Sequence, residues 1–358
     1  MSIFIIAEAG INHNGNPKTA FQLVDVAADA GADAVKFQTF KTEELVTDYA
    51  KTADYQKKSL GKNITQYELL KKLELSYELH FELHKYCKQK NIAFMSTAFD
   101  NKSLNFLVND LGLKTLKISS GDITNTPFLL EHARTGLDLI LSTGISTLDE
   151  IEEALSVIAF GLTNRPESMP NQEKCKQAYS SKVGQQALKD KVTLLHCVSE
   201  YPAPNTELNL NAINTLRNHF QLSIGYSDHS QGAVVPIAAV ALGAVIIEKH
   251  FTLDRKMVGP DHLASIEPLE LSSMITSIRL IEEALGDGVK QPSTSEIKNK
   301  DSARKSIVAI RNITKGDIYT EENIAVRRPG SGMPPNKYWD LLGSLASSSV
   351  QAGQYIDE

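Results

Sequence analysis

Residues 225–250 read GYSDHSQGAVVPIAAVALGAVIIEKH, and this stretch carries the pattern that decides the fold. Its middle is almost entirely Ala, Val, Ile and Leu and must be buried. At about fifteen residues, and interrupted by Pro236, it is too short and too broken for a membrane helix. The pattern instead predicts a helix over 232–242, a stop at Gly243 and a buried strand over 245–247.

A histidine follows the predicted strand on each side of that helix. His229 comes after one strand and His250 after the next, and each has a carboxylate close by in the chain, Asp228 or Glu248. A single histidine is more often a structural residue. Two imidazoles at the ends of adjacent strands can form half of a divalent-metal site.

Short apolar strands alternate with helices through the first 285 residues. Eight buried strands, each followed by a helix, predict a (β/α)₈ TIM barrel. The strands are expected at residues 3–7, 34–35, 92–95, 115–118, 138–141, 192–195, 222–224 and 245–247. Polar side chains stand at or just after the strands' C-terminal ends, where such barrels build active sites: Glu8, Lys36, Thr97, Ser120, Thr143, His196, His229 and His250.

The chain has 358 residues, more than one core normally takes, and its composition changes after residue 285. Residues 286–300 are rich in Gly, Pro, Ser, Thr and Lys, which is typical of a linker. Residues 301–358 show short strands between Gly and Pro turns and predict a small, mostly β domain. Within the barrel, the polar segment 161–191 looks like a partly helical insertion.

Charge and cysteine usage exclude several classes of protein. The net charge is −6 and the chain has no basic block, which argues against a nucleic-acid partner. Three cysteines, far apart and odd in number, exclude a disulfide framework and favour a reducing compartment. No basic region precedes the apolar run 3–7, so we expect no signal peptide, no membrane partner and a cytoplasmic location.

Two lysines occupy unusual places. Lys36 and Lys117 lie in or at the end of predicted buried strands, where lysine is rare. One such lysine could keep its charged head in water while its stem packs. Two that point to the same barrel mouth favour a clamp for a phosphate or carboxylate. The competing interpretation is a Schiff-base lysine, as in class I aldolases.

Other local patterns carry less chemistry. Cys197 follows His196, but neighbours on a strand face opposite ways, so this pair is not a nucleophile with its base, and Cys197 is assigned to packing. The chain has no G-x-G-x-x-G fingerprint and no P-loop, so nucleotide binding has no support. The residues alone therefore predict a metal-dependent barrel enzyme that acts on a small, anionic, phosphorylated substrate.

Ordered motifs along nearly the whole chain resemble the sialic acid synthase family, whose members condense phosphoenolpyruvate with an N-acylated hexose. They are EAGINHNG (8–15), VKFQ (35–38), ST (96–97), KISSGD (117–122), LSTG (141–144), residues 196–204, GYSDH (225–229), EKHFT (248–252) and GPD (259–261). The tail, with RRPGSG (327–332), is similar to the family's antifreeze-like SAF domain.

The resemblance implies that His229 and His250 bind Mn²⁺ or Mg²⁺, and that Arg328 reaches the sugar from the other subunit of a domain-swapped homodimer. It implies catalytic roles for Glu8, Asp122, His229 and His250. It implies substrate contacts by Lys36, Thr97, Lys117, Ser120, Ser199, Tyr201, Ser227, Asp261 and Arg328. Asp122 stands where members that use N-acetylmannosamine often have Glu, and Ser199 stands where those members have Asn.

The wording of several motifs is closer to the branch that makes legionaminate than to the branch that makes N-acetylneuraminate. Other classes remain open: a pseudaminate synthase, a lyase that uses Lys117 as a Schiff base, and a non-catalytic sugar- or ice-binding protein built on the tail. The last leaves the polar ring at the strand ends without a purpose.

Overall fold

A computed structural model describes residues 2–47, 50 and 65–357 of the chain. The chain divides after Gly286 into two compact units. In the first, eight parallel strands pair in sequence order and β1 also pairs with β8, so the sheet closes into the predicted TIM barrel. The strands are β1 Phe4–Gly10, β2 Ala34–Thr39, β3 Ala93–Ala98, β4 Thr115–Ile118, β5 Asp138–Ser142, β6 Val192–His196, β7 Ser223–Asp228 and β8 Ile246–His250.

Helices surround the barrel, and the buried apolar residues of most of them form one core cluster with apolar residues of the strands. They are α1 Pro17–Asp29, α2 Thr42–Leu45, α3 Gln66–Leu73, α4 Tyr77–Gln89, α5 Asn101–Asn105, α6 Thr126–Arg134, α7 Leu148–Thr163, α8 Gln172–Ser180, α9 Lys182–Lys191, α10 Ala212–Phe220, α11 Val234–Ala241 and α12 Pro268–Leu285. Pro236 is the third residue of α11. That position needs no backbone N–H for the helix ladder, so the proline does not break the helix.

The segment 161–191 contributes α8 and α9, which pack on α7 and bury Cys175 and Leu188. This confirms that the segment is partly helical. A groove with a volume of about 860 Å³ runs along α6, α7 and α8 on the outside of the barrel.

The barrel interior is built in layers because side chains on a strand alternate between its two faces. The lower layer is an apolar plug of Ile6, Ala34, Met95, Ile140, Leu195 and Ile246. Two residues further along each of these six segments the interior positions become polar, with Cys197 one residue beyond the end of β6: Glu8, Lys36, Thr97, Ser142, Cys197 and Glu248. The plug closes the bottom of the barrel, and the polar layer forms the floor of its open end.

The second unit contains α13 Thr294–Ala303, the antiparallel pair β9 Ser306–Ala309 and β10 Ile324–Arg327, and α14 Tyr338–Leu341. Three isolated β-bridges also lie among the described residues of this unit, and a separate apolar cluster around Ile307, Tyr319 and Ile356 forms the core of the unit. The stretch 286–300, predicted as a linker, carries most of α13, which begins with a capping box at Ser293 and Glu296. The small, mostly β character of the tail is confirmed. Among the described residues, no helix is long and apolar enough to span a membrane.

Candidate active site

A chain of alternating charges crosses the polar layer of the barrel. Lys36 Nζ lies 2.8 Å from Glu8 Oε2 and 3.5 Å from Glu248 Oε2, and it donates to Thr97 Oγ1 over 3.1 Å. Lys117 Nζ lies 3.5 Å from Glu248 Oε1. All four charged side chains are almost fully buried. The two lysines therefore do point to one place, as predicted, and Glu248 lies between them.

Burial and neighbouring charges shift the pKa values of this layer in different directions. Burial raises the pKa of Glu8 to about 7, against the opposing effect of Lys36. For Glu248 burial also acts upward, but Lys117 and Lys36 outweigh it, and its pKa lies well below the usual range. Burial lowers the pKa of Lys117. At neutral pH Glu248 is thus ionised, and Glu8 is close to the pH at which it is half protonated.

The two predicted metal-binding histidines lie together above this layer. The ring centroids of His229 and His250 are 5.6 Å apart. His229 Nδ1 donates to the Val198 carbonyl over 2.6 Å, so its Nε2 carries a lone pair, 3.4 Å from Ser227 Oγ. Burial lowers the pKa of both imidazoles, for His250 well below its ordinary value. Both rings are therefore neutral, which is the form that binds metals.

The donor set suits a metal ion only in part. His250 Nδ1 is buried and has no hydrogen-bond partner among the described residues, which leaves a nitrogen available for a ligand. However, within residues 2–47, 50 and 65–357 no three His, Cys, Asp or Glu side chains form a group that could hold a metal ion. The two imidazoles would supply two ligands, and the others would have to come from water or substrate.

Tyr201 and Asp261 line the same opening. The Tyr201 ring centroid lies 4.2 Å from that of His229 and 5.6 Å from that of His250. Asp261 Oδ2 is 4.0 Å from His250 Nδ1, and burial raises the Asp261 pKa to about 6. Both residues belong to loops that follow strands, β6 for Tyr201 and β8 for Asp261, and the barrel brings them together.

A group of small polar side chains stands around Gly144, after β5. The Gly144 amide donates to Ser120 Oγ over 2.9 Å, and Ser120 Oγ lies 3.2 Å from Cys197 Sγ. A Cβ on Gly144 would come within 2.3 Å of Ser199 Oγ. Predicted substrate residues Ser120 and Ser199 are thus neighbours. Cys197, assigned to packing from the sequence, lies among them, on the strand face that carries Leu195 rather than His196.

Four predicted residues have other surroundings. His196 ends β6, as predicted, but its side chain faces the helices and not the barrel mouth: its Nε2 donates to the Leu208 carbonyl over 2.8 Å and its ring contacts Tyr226. Thr143 Oγ1 donates to the Leu195 carbonyl and supports the sheet. Asp122 accepts from Ser119 Oγ over 2.7 Å within its own turn. Arg328 belongs to the second unit, where it is exposed and its Nε donates to the Ala303 carbonyl.

Two residues for which the sequence predicts no role also lie in the site. Glu248 accepts from Ser227 Oγ over 2.8 Å as well as approaching both lysines. Gln38 Nε2 lies 3.5 Å from Glu8 Oε1. The available signal was strand alternation: Glu248 precedes His250 by two residues and Gln38 follows Lys36 by two, so each shares a strand face with a predicted site residue.

Two known families match most of the chain. The profile of the NeuB family matches residues 23–290, and that of the SAF domain matches residues 304–358. The N,N'-diacetyllegionaminic acid synthase of Campylobacter jejuni subsp. jejuni is 46% identical over 99% of this chain and 98% of its own. The synthase of the same name from Legionella pneumophila subsp. pneumophila is 44% identical over 99% of this chain and 93% of its own.

Among solved structures, the N-acetylneuraminic acid synthetase of Leptospira borgpetersenii serovar Hardjo-bovis has a TM-score of 0.67 and 37% identity, covering 84% of this chain and 90% of its own. The resemblance read from the motifs is thereby confirmed. The chain belongs to the NeuB family.

Proposed function

We propose that this protein condenses phosphoenolpyruvate with an N-acylated hexose to give a nonulosonic acid and phosphate. The observation that carries the proposal is the convergence of two buried lysines on Glu248 beneath a pair of neutral histidines. A site for an anion would thereby lie beside a site for a carbonyl group in one barrel mouth. In the reaction, C3 of phosphoenolpyruvate attacks the sugar aldehyde, water adds at C2, and phosphate leaves with cleavage of its C–O bond.

The anionic substrate would bind to the polar layer and the hydroxyl groups beside it. Lys36 and Lys117 supply positive charge, and Thr97 and Ser120 supply hydroxyl donors. The Ser227 hydroxyl, which donates to Glu248, would turn to the anion. Because these groups are buried, their interactions with a phosphate or carboxylate are stronger than they would be in water. Ser199, next to Gly144, would line the same pocket.

The carbonyl end would bind near the histidines. Mn²⁺ or Mg²⁺ held by His229 and His250 would polarise the aldehyde oxygen as a Lewis acid. Tyr201 and Asp261 line the opening above them and would face the sugar. Metal dependence rests on the unpartnered His250 Nδ1 and the neutral state of both rings.

Glu8 is suited to handle a proton. Its pKa of about 7 lets the carboxyl group release or accept a proton at physiological pH. A protonated Glu8 would also leave the polar layer with a net positive charge from Lys36 and Lys117, which favours binding of an anion. Asp122, held in its turn by Ser119, would act on substrate or water from the rim of the barrel.

For the acceptor we propose 2,4-diacetamido-2,4,6-trideoxymannose, with N,N'-diacetyllegionaminate as the product, because both relatives described above carry that synthase name. N-acetylmannosamine and the pseudaminate precursor are the alternatives. One observation favours a different class: the lowered Lys117 pKa is a property of Schiff-base lysines. Borohydride trapping with pyruvate separates the two classes, and we expect no adduct.

We also propose a domain-swapped homodimer in which Arg328 of one chain serves the barrel of the other. Its support is the family resemblance together with the exposure of Arg328 on the second unit. Mixing an Arg328→Ala chain with a Lys117→Met chain would restore activity if the tails exchange, because some mixed dimers would hold one intact site. The three buried free cysteines favour a reducing compartment, and we propose the cytoplasm.

The experiment that tests the proposal is phosphate release from phosphoenolpyruvate, with the three sugars offered separately and with EDTA as a control. We expect release that requires the diacetamido sugar and stops with EDTA. Release with N-acetylmannosamine instead would change the acceptor, and release that survives EDTA would remove the metal. No release with any of the sugars would contradict the function.

A further inference from the structure

Asn12 lies just after β1, is 1% exposed, and its side chain bridges two parts of the loop after β8. Its Nδ2 donates to the Phe251 carbonyl over 2.8 Å and to Ser265 Oγ over 2.9 Å. Ser265 Oγ in turn donates to the Asp261 carbonyl over 2.7 Å. A single amide therefore holds the first residue after His250 and, through one hydroxyl, the backbone of Asp261.

The surroundings fix which way the Asn12 amide points. The Phe251 carbonyl can only accept, and the Ser265 hydroxyl has given its proton to the Asp261 carbonyl. Both partners therefore need a donor, and only the NH₂ end of the amide supplies one. Because one nitrogen makes both bonds, a replacement for Asn12 would need two donor hydrogens on the same atom.

Backbone bonds close the same loop at its base. The Ile266 amide donates to the His250 carbonyl over 3.0 Å, and the Thr252 amide donates to the Ile266 carbonyl over 2.9 Å. These bonds fix the ends of segment 252–265 and do not involve Asp261, whose carbonyl also accepts from the Ala264 amide within its own turn. The route from Asn12 through Ser265 does reach Asp261, whose carboxylate stands 4.0 Å from His250 Nδ1.

We propose that Asn12 is a positioning residue that, through Ser265, sets the place of Asp261 beside His250 and thereby controls binding of the acceptor sugar. This rests on the proposed function, in which Asp261 faces the sugar. Asn12 touches neither the charged layer nor the anion pocket in the contacts described above. Its effect should therefore appear at the acceptor and not at phosphoenolpyruvate.

The test uses the full-length protein with Asn12→Asp, Ser265→Ala and the double variant. Asn12→Asp keeps the shape of the side chain and replaces the donor nitrogen by oxygen. The control is Asn14→Gly: Asn14 Nδ2 donates to the Val258 carbonyl in the same loop, but on the exposed side. Asn14 has a φ of 52°, which glycine adopts without strain. Steady-state kinetics with each substrate and hydrogen–deuterium exchange of segment 252–265 are measured on all four variants.

We expect Asn12→Asp to raise the KM for the sugar about tenfold and to leave the KM for phosphoenolpyruvate within about twofold. Exchange in 252–265 should become faster. Ser265→Ala should act in the same direction, and the double variant should add little, because both residues belong to one route. Asn14→Gly should leave both KM values unchanged.

Equal changes in both KM values, or a sugar KM raised as much by Asn14→Gly, would overturn the proposal, since loosening of the loop in general would then explain the data. Unchanged exchange in Asn12→Asp would overturn it as well. If the wild-type protein releases no phosphate with any sugar, the proposed function fails on its own, and exchange in the Asn12→Asp protein still decides whether Asn12 holds this loop.

Discussion

Two buried charge clusters occupy opposite faces of the same two strands, β7 and β8. The inner cluster faces the barrel interior and contains Ser227 and Glu248, together with Lys36 and Lys117, which approach Glu248 from neighbouring strands. The outer cluster contains Asp228 and Lys249 and faces the helices. In the outer cluster Lys249 Nζ lies 2.6 Å from Asp228 Oδ2 and also donates to the Ser230 carbonyl, while the Ser230 amide and hydroxyl donate to Asp228.

The two clusters differ in how completely their polar atoms are paired. Both Asp228 oxygens have hydrogen-bond partners. In the inner cluster Glu248 Oε2 is buried with no hydrogen-bond partner among the described residues and approaches only Lys36 Nζ, at 3.5 Å; above it His250 Nδ1 is buried without a hydrogen-bond partner among those residues. Buried polar atoms are costly when unpaired. The outer cluster therefore serves the fold, and the inner site retains incompletely satisfied atoms, above all His250 Nδ1, that a bound group can satisfy.

The largest effect is expected from breaking the outer pair. Lys249→Met leaves the Asp228 carboxylate buried without its cation and should lower the free energy of unfolding by about 3–5 kcal/mol. Denaturant unfolding measures it. Lys71→Met removes an exposed pair with Glu43 and, as the control, should change it by less than about 1 kcal/mol. Similar losses in the two variants would show that the outer cluster has no special structural weight.

The next effect concerns the inner cluster. Lys117→Met should lower kcat/KM about 10²–10³-fold because one buried cation of the anion site is lost. The free energy of unfolding should fall less than for Lys249→Met, since Lys36 still lies 3.5 Å from Glu248 and Glu8 can take up a proton. Lys114→Met, an exposed lysine just before β4, is the matched control. A variant that is active but unstable would reverse the assignment of the two clusters.

A smaller effect concerns a buried histidine in one of the helices that surround the barrel. Burial lowers the pKa of His132 in α6 to about 4, so the unfolded chain binds a proton that the folded chain does not. The contribution of His132 to the free energy of unfolding is therefore fully present above about pH 6.5 and is lost as the pH drops towards 4. At pH 5 the loss is about 2 kcal/mol. His132→Asn keeps the donor to the Phe128 carbonyl and should flatten this fall. An unchanged profile in unfolding experiments would mean that His132 titrates normally.

The smallest effect refines the inner site. Gly144→Ala places a methyl group against Ser199, Ser120 and Cys197, whose side chains must shift to admit it. We expect the KM for phosphoenolpyruvate to rise about tenfold with little change in the KM for the sugar. The control is Gly121→Ala, because the new Cβ would meet no atom closer than 3.8 Å. Gly136→Ala would not serve, because Gly136 has a φ of 67°, which strains alanine. A rise in the KM for the sugar alone would show that the anion pocket does not lie beside Gly144.

Much of the site could be predicted because barrel strands place their C-terminal ends on one face. Lys36, Lys117, His229 and His250 were found in this way, from polar residues after short apolar runs. The orientation of His196 could not be predicted in this way. The end of a strand shows which end of the barrel a residue is near, but not whether its side chain points inward. The alternation within β6 decides that, and Leu195 occupies the interior position.

The sequence by itself determined the barrel, the small β tail and the family, because hydrophobic periodicity and ordered motifs are properties of neighbouring residues along the chain. Only the tertiary structure decided that Glu248 lies between the two lysines, that Cys197 stands beside Ser120, and that Asn12 holds the loop of Asp261. These contacts join residues up to 253 positions apart. Closure of the barrel brings such residues together, and no local pattern encodes the distances between them.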